Sequence, residues 1–445
     1  MHYDPLTALS PGEGLPHVPS YWAATAGPPP GDDGPLWGSV ETDVAIIGGG
    51  YTGLSCAAYL ARDYGLRPVV LEANRPMWGC SGRNGSFVGP MLGRVPFTQW
   101  TKRWGEGGAR ALWAEANEAV QTVRSLIRTG AIDCDVQPDG RMRLAHTHRK
   151  VRSLAADCEA LRCFGTDAEM LSGDEIARDH FFGREAFGAL RLTNGFAVHP
   201  LKLGFGIASM ARTAGAIVHS ASPVLTWEKR GETHLLRTPN GEVRAKNVVF
   251  ATNGYTNERL HPALAGGLLP LISNIVVTRP MTANERAACN LVSTDCLSDT
   301  RKFLSYFRRL PDDRIMLGNR GPLTEGGAEV HEQWLLSRIR DKFPALADIT
   351  VDYFWGGWVA LTHDAMPHVT CADDDPTVLY ALGYCGSGVA AANHAGRRLA
   401  ERLGENKTVL PHIASSLPRF PLAQFRRLGQ AIAFQWYHLR DAMDF

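Results

Sequence analysis

The sequence predicts an α/β chain in which a parallel-sheet domain, assembled from discontinuous segments, alternates with an α+β domain built on a mixed or antiparallel sheet. Three observations predict it. A strand, a glycine-rich turn, a helix and a second strand follow one another between Asp43 and Glu72. Helix-then-strand rhythm returns at Pro200–Val218, and another apolar strand stands at Val248–Thr252, with unlike sequence in between. A second glycine-rich helix start lies at Gly383–Gly388, near the other end of the chain.

The 445 residues amount to about three units of ~150 residues. Lys and Arg number 46 against 45 Asp and Glu, for a formal charge of +1, with 44% hydrophobic and 20% charged residues. These values exclude a disordered or collagen-like chain. A balance this near zero also argues against nucleic-acid binding, which needs a basic face. The first thirty residues hold Asp4, Glu13 and several prolines but no apolar run, so no signal peptide is expected. Leu260–Thr278 is free of charge, yet Pro262, Gly266, Gly267 and Pro270 break it, so no integral membrane segment is expected. The nine cysteines include no CxxC pair, which fits reduced thiols in a cytoplasm.

Residues 1–40, rich in Pro and Gly with Trp22 and Trp37, read as an arm lying across a folded body. Asp43–Ile47 is a short apolar run suited to a strand buried on both faces. Leu54, Ala57, Ala58 and Ala61 then recur at helical spacing, and Pro68–Glu72 is the next strand. A helix is expected from Gly107 to Arg128, followed by a hairpin turning at Pro138-Asp139-Gly140. Residues 149–163 read as helix, and Pro200–Ala214 as another with proline at its start. A strand follows at Ala216–Val218, then a meander over 222–250 with a turn at Asn240-Gly241. An amphipathic helix is expected at Trp334–Phe343, and a final one from Gly388 to Leu403.

Gly48-Gly49-Gly50-Tyr51-Thr52-Gly53 matches GxGxxG, and Glu72 closes the next strand 22 residues after Gly50. In this context the motif reads as a dinucleotide site. Gly48 permits the tight turn, Gly50 lets backbone approach a pyrophosphate, and Gly53 lets helix pack on strand. The helix N-terminus offers N–H groups to phosphates, and Glu72 can accept hydrogen bonds from a ribose diol. The unit alone does not separate NAD from FAD. Ser81-Gly82-Arg83-Asn84-Gly85, Ala251-Thr252-Asn253-Gly254 and Gly383-Tyr384-Cys385-Gly386-Ser387-Gly388-Val389 lie along the rest of the chain. A ligand touched at both ends of so long a chain is itself long and buried, as FAD is.

Together with His199-Pro200-Leu201-Lys202-Leu203 and Thr362-His363-Asp364-Ala365-Met366-Pro367, these motifs resemble the FAD-dependent amine oxidoreductases related to D-amino acid oxidase. Within them the chain is most similar to the γ-glutamylputrescine oxidoreductase group. The resemblance implies a Rossmann-like FAD domain (41–90, 196–256 and 352–405) and a substrate domain (91–195 and 257–351). Residues 1–40 would be the arm and 406–445 a C-terminal helical extension. It implies FAD contacts from Gly48, Gly50, Tyr51, Thr52, Gly53, Glu72 and Ala73, and from Ser81, Gly82, Arg83, Asn84 and Gly85. Val224, Ala251, Thr252, Gly386, Ser387, Gly388 and Val389 complete the set, with Val224 beside the adenine. Sarcosine-oxidase-like relatives attach FAD through a cysteine. Trp355–Leu361 has none, so FAD is expected to be non-covalent. Those relatives also carry a lysine for the substrate carboxylate where this chain has Val389-Ala390, which argues against a simple N-methyl α-amino acid.

The implied chemistry is hydride transfer to flavin from the carbon beside nitrogen in an amine or amino-acid-like substrate. The resulting imine is hydrolysed, and the electrons pass to O2 or another acceptor; the sequence names no partner protein. Candidate catalytic residues are Tyr306, Trp358 and Arg320, with Tyr255 and Trp355 beside them. The aromatics suit an amine or its alkyl chain and Arg320 a carboxylate, although each also fits core packing or an ion pair. Cys385 reads as a small buried residue. His363, Asp364 and His368 match no ligand spacing, so no metal is expected. The amphipathic stretch from Phe425 to Tyr437 reads as a helix packed on the body. Two alternatives stand beside this reading. One is a flavin- and NAD-dependent reductase, for which Gly195, Gly204, Gly206 and Gly215 form no second fingerprint. The other is an FAD-stabilised subunit without turnover.

Overall fold

A computed structural model describes residues 3–443. The arm carries one short helix, α1 (Tyr21–Thr25), capped by the Ser20 hydroxyl, before β1 (Gly38–Ile47) begins. Next come α2 (Tyr51–Tyr64), β2 (Val69–Leu71), the short β3 (Phe87–Val88) and the long α3 (Phe97–Thr129). The middle of the chain gives β4 (Arg141–Leu144), α4 (His148–Cys163), β5 (Ala168–Ser172), α5 (Gly173–Asp179), β6 (Gly188–Leu192) and β7 (Phe196–Ala197). Then follow α6 (Pro200–Thr213), β8 (Ile217–His219), β9 (Thr226–Arg230), β10 (Thr233–Arg237) and β11 (Gly241–Phe250). The next segment adds β12 (Leu269–Thr278), α7 (Ala283–Cys289), β13 (Cys296–Asp299), β14 (Tyr306–Arg309), β15 (Ile315–Arg320) and α8 (Ala328–Lys342). Last are β16 (Val351–Leu361), β17 (His368–Cys371), β18 (Val378–Leu382), α9 (Gly388–Glu405) and α10 (Arg426–Met443).

The strands form two large sheets. The first runs β17-β18-β11-β1-β2-β8, with β10 and β9 branching from β11. Its centre is parallel: Ala45 lies opposite Val248 on β11 and Val69 on β2. Val44, Ile46 and Val70 enter a core shared with α2, α3, α6 and α9, while Ala45, Ile47, Val69 and Leu71 enter a second core on the opposite face. Burial on both faces explains why these strands read as unbroken apolar runs. The second sheet runs β16-β12-β15-β14-β13-β4-β6-β5, antiparallel except where β4 lies parallel to β13. Its outer face packs under α5, α7 and α8 through Phe181, Phe307, Leu335, Ile339 and Phe343.

Several expectations are corrected. The helix expected from Gly107 starts ten residues earlier, at Phe97, and bends where Gly105 takes φ 70°. No strand precedes Pro138-Asp139-Gly140, so there is no hairpin; β4 pairs instead with β6 and β13, partners far away in sequence. The helix expected at Trp334 begins at Ala328. The charge-free run at Leu260–Thr278 ends in β12, and among the described residues no helix is long and apolar enough to cross a membrane. Residues 352–361, which the resemblance assigns to the FAD domain, lie in β16 of the second sheet.

Candidate active site

The glycine turn after β1 is shaped by contacts that admit no side chain. Gly48 has φ 109°, and a Cβ there would stand 2.9 Å from the Ala251 carbonyl oxygen. At Gly53 a Cβ would fall 1.9 Å from the Gly48 oxygen, so α2 crosses the turn only because no side chain intervenes. Gly50 precedes α2 without a side-chain cap, and the Tyr51 N–H donates to Ser81 Oγ at 3.1 Å. Glu72, at the end of β2, is buried; its carboxylate accepts from the Gly49 N–H at 2.7 Å and the Asn74 N–H at 2.9 Å. Burial pushes this carboxyl up, against the pull of those N–H donors.

The second glycine-rich helix start is brought alongside the first. Thr52 Oγ1 and the Tyr384 hydroxyl lie 2.6 Å apart, Ser55 donates to Asn393 at 2.7 Å, and Gly396 sits against the Thr52 carbonyl. Like α2, α9 begins without a side-chain cap, at Gly388 after Ser387. One cavity of about 430 Å³ is lined by Gly48 and Gly50 from the first turn, by Glu72 after β2 and Val224 between β8 and β9, and by Gly386–Val389 from the second turn. That volume lies in the range of small-molecule sites. The arm closes part of its wall through Leu9, Ser10 and Pro11.

The other end of the cavity is built by the second sheet. Tyr306 on β14 lies over Gly85 and Gly318, neither of which has room for a Cβ beneath the ring, and its hydroxyl is 2.9 Å from Ser273 Oγ. Burial pushes the Tyr306 phenol up, so it stays protonated. Arg320, at the end of β15, also lines the cavity, as do Arg94, Arg141, Arg143 and Lys302.

A family model described as FAD dependent oxidoreductase, DAO, matches residues 43–402. The chain belongs to this family. It is 32% identical to gamma-glutamylputrescine oxidoreductase of Escherichia coli strain K12, over 96% of this chain and 99% of that protein. It is 31% identical to a probable oxidoreductase, OrdL, of Rhizobium meliloti strain 1021, over 91% and 93% of the two chains. Among solved structures, glycine oxidase from Geobacillus kaustophilus shares the fold at a TM-score of 0.70 and 20% identity, covering 86% of this chain and all of that one.

As a DAO-family oxidoreductase the chain uses FAD, and its residues fit that group. The cavity is long and reaches both glycine turns. The two helix starts without side-chain caps suit anionic and carbonyl oxygens. The Arg83 guanidinium, stacked 4.1 Å over Trp78, donates to the Trp78 and Gly356 carbonyls, while its Nη2 is buried without a partner and so requires an acceptor. Of the residues singled out from sequence, Tyr51, Thr52, Ala73, Ser81, Asn84, Ala251 and Thr252 also line the cavity.

Three do not. Gly53 and Gly82 lie behind it: at Gly82 a Cβ would be 2.2 Å from the Met77 oxygen, so both act through packing. Trp358 is 1% exposed and faces away, its Nε1 donating to Glu325 and its ring beneath Arg427. Strand alternation explains it, because its neighbours Gly357 and Val359 take the cavity side of β16. Tyr255 lines the cavity, whereas Trp355 donates to the Arg83 carbonyl and packs in the core. His368 contacts Asp364 at 3.2 Å, and His363 lies edge-on to Phe420.

Sequence reasoning missed Arg94, Arg141 and Arg143. The alternation Arg141-Met142-Arg143 on a strand was a usable signal, since residues two apart share a face. Only the pairing of β4 with β13 aims that face at the cavity.

Proposed function

We propose that the chain oxidises the C–N bond of an amine or amino-acid-like metabolite to an imine, which water then hydrolyses. When bound, FAD supplies the acceptor for the hydride that leaves the carbon beside nitrogen. The chain's own residues bind, orient and shield. Glu72, the two glycine turns and Arg83 would hold the cofactor's polar groups. Arg320 would take a substrate carboxylate through its fork, and the neutral Tyr306 hydroxyl would hydrogen-bond the substrate. The surrounding guanidiniums disfavour an ammonium, so the substrate nitrogen is held as the free amine whose lone pair supports the developing imine. Attachment of FAD is non-covalent in this reading. Cys80, Cys296 and Cys385 all line the cavity, but burial pushes each thiol up and so withholds the thiolate. The free state of all nine cysteines supports a cytoplasm.

The observation that carries this reading is the single cavity joining the glycine turns of one sheet to the arginines of the other. Anaerobic screening of the holoenzyme with polyamines, N-methylated compounds and amino acids tests it. At least one of them is expected to bleach the flavin. A flavin bleached by none of them, or by NADH instead, contradicts it.

A further inference from the structure

The substrate end of the cavity carries more positive charge than the protein neutralises. Arg320 closes β15 opposite Ser273, Arg141 opens β4 beside β13, and Arg94 sits in the loop after β3 with its N–H on the Ala365 carbonyl. All three line the cavity, and among the described residues no carboxylate pairs with any of them. The Arg141 guanidinium reaches the Met91 sulfur at 3.0 Å, a weak acceptor, and occupies the space where Gly89 lacks a side chain. Nearby acids are already committed: Asp157 to Arg143 at 3.2 Å and Asp299 to Arg301 at 2.7 Å. Glu72, the other acid of the lining, is bound at the opposite sheet by Gly49 and Asn74.

Unpaired buried charge is costly, so a cluster of this kind is matched to an anion. Burial pushes all three guanidiniums down, and like charge adds to it: from Arg94 at Arg320, and from Arg143 at both Arg94 and Arg141. The separation comes from the sheet: β15, which ends in Arg320, and β4, which begins with Arg141, are three strands apart in the order β15-β14-β13-β4, about 14 Å at the usual strand spacing. One carboxylate, with two oxygens, serves only one of these two positions.

We propose that the substrate is an amine bearing two carboxylates, one gripped by Arg94 and Arg320 and the other by Arg141. This deepens, and rests on, the reading of the site as an amine-oxidising one. Such a dianion neutralises what a cationic polyamine leaves bare.

Calorimetric titration of oxidised holoenzyme tests it without turnover. The probes are succinate, glutarate and adipate, each against the monocarboxylate of equal length: butyrate, valerate and hexanoate. At least one dicarboxylate is expected to bind about fivefold tighter than its partner or better, as a second charge-assisted grip requires. Arg141→Gln and Arg320→Gln are each expected to bring that ratio near one. Ratios below about fivefold in all three wild-type pairs overturn the proposal, whether or not the variants fold. So does tighter binding of inorganic phosphate than of every dicarboxylate, which indicates one compact anion site. Anaerobic bleaching by γ-glutamylputrescine or sarcosine, with no bleaching or binding by iminodiacetate, overturns this inference and leaves amine oxidation standing. Bleaching by no amine at all overturns the functional reading, while the titration still decides the charge preference.

Discussion

Two positions decide whether the first glycine turn works. Gly53→Ala places a Cβ 1.9 Å from the Gly48 oxygen, a backbone atom that cannot swing aside. Overpacking against backbone is expected to cost about 3 kcal/mol or more, read as a lower thermal midpoint together with lost flavin. Glu72→Gln is a gentler change. Both carboxylate oxygens face N–H donors, so an amide must turn its NH2 toward one of them, at a cost of about 1–3 kcal/mol. The variant is expected to fold but to retain FAD at least about tenfold more weakly, measured by equilibrium dialysis. The places of both residues were legible in the sequence because the glycine motif and its acid are local, fixed by spacing within one βαβ unit. Trp358 was not legible: which face of β16 meets the cavity depends on its register with β12, and a one-residue shift exchanges Trp358 for Gly357 or Val359.

Between elements, the contact of α3 with α9 carries a buried ionic cluster. Glu115 on α3 accepts from His394 at 3.0 Å and from Arg398 at 2.8 Å on α9. Burial pushes the Glu115 carboxyl up, but those hydrogen bonds and charges outweigh it and hold it at about 2, below its ordinary 4.5. A carboxylate depressed on folding adds stability that is present in full above the ordinary value and is lost as pH falls toward the folded one. Acid unfolding is therefore expected to steepen between pH 4.5 and about 2, and Glu115→Gln to flatten the fall of the thermal midpoint over that interval. An equal slope in both proteins contradicts the assignment. The α2–α9 pairing that brings the two glycine turns together was foreseeable from the motifs. The length of α3 and the partners of β4 were not, since one depends on a glycine bend and the other on strands about 45 and 155 residues away.

Across the whole molecule, the N-terminal arm closes over the cavity and is tied down by the C-terminal helix. Tyr3 stacks on Tyr255, Asp4 pairs with Arg427 of α10, the Gly14 N–H reaches the Ala73 carbonyl, and Leu9–Pro11 form part of the cavity wall. Deleting residues 1–12 is expected to leave both sheets folded, by far-ultraviolet circular dichroism, yet to speed FAD dissociation at least about tenfold. Unchanged flavin retention would show the arm to be ornamental. Because β16 pairs with β12 in the second sheet, we propose that the domain boundary falls after Leu361 rather than before residue 352. The interleaving itself was legible because each return of helix-then-strand rhythm is a local signal. The convergence of Arg94, Arg141 and Arg320 was not, because it exists only once three distant segments have paired. The account rests on one FAD held by both glycine turns without a covalent link. Acid precipitation of the purified protein, with flavin measured in pellet and supernatant, tests this most directly: about one FAD per chain should appear in the supernatant, and a colourless protein that takes up no FAD, or flavin that stays with the pellet, would contradict it.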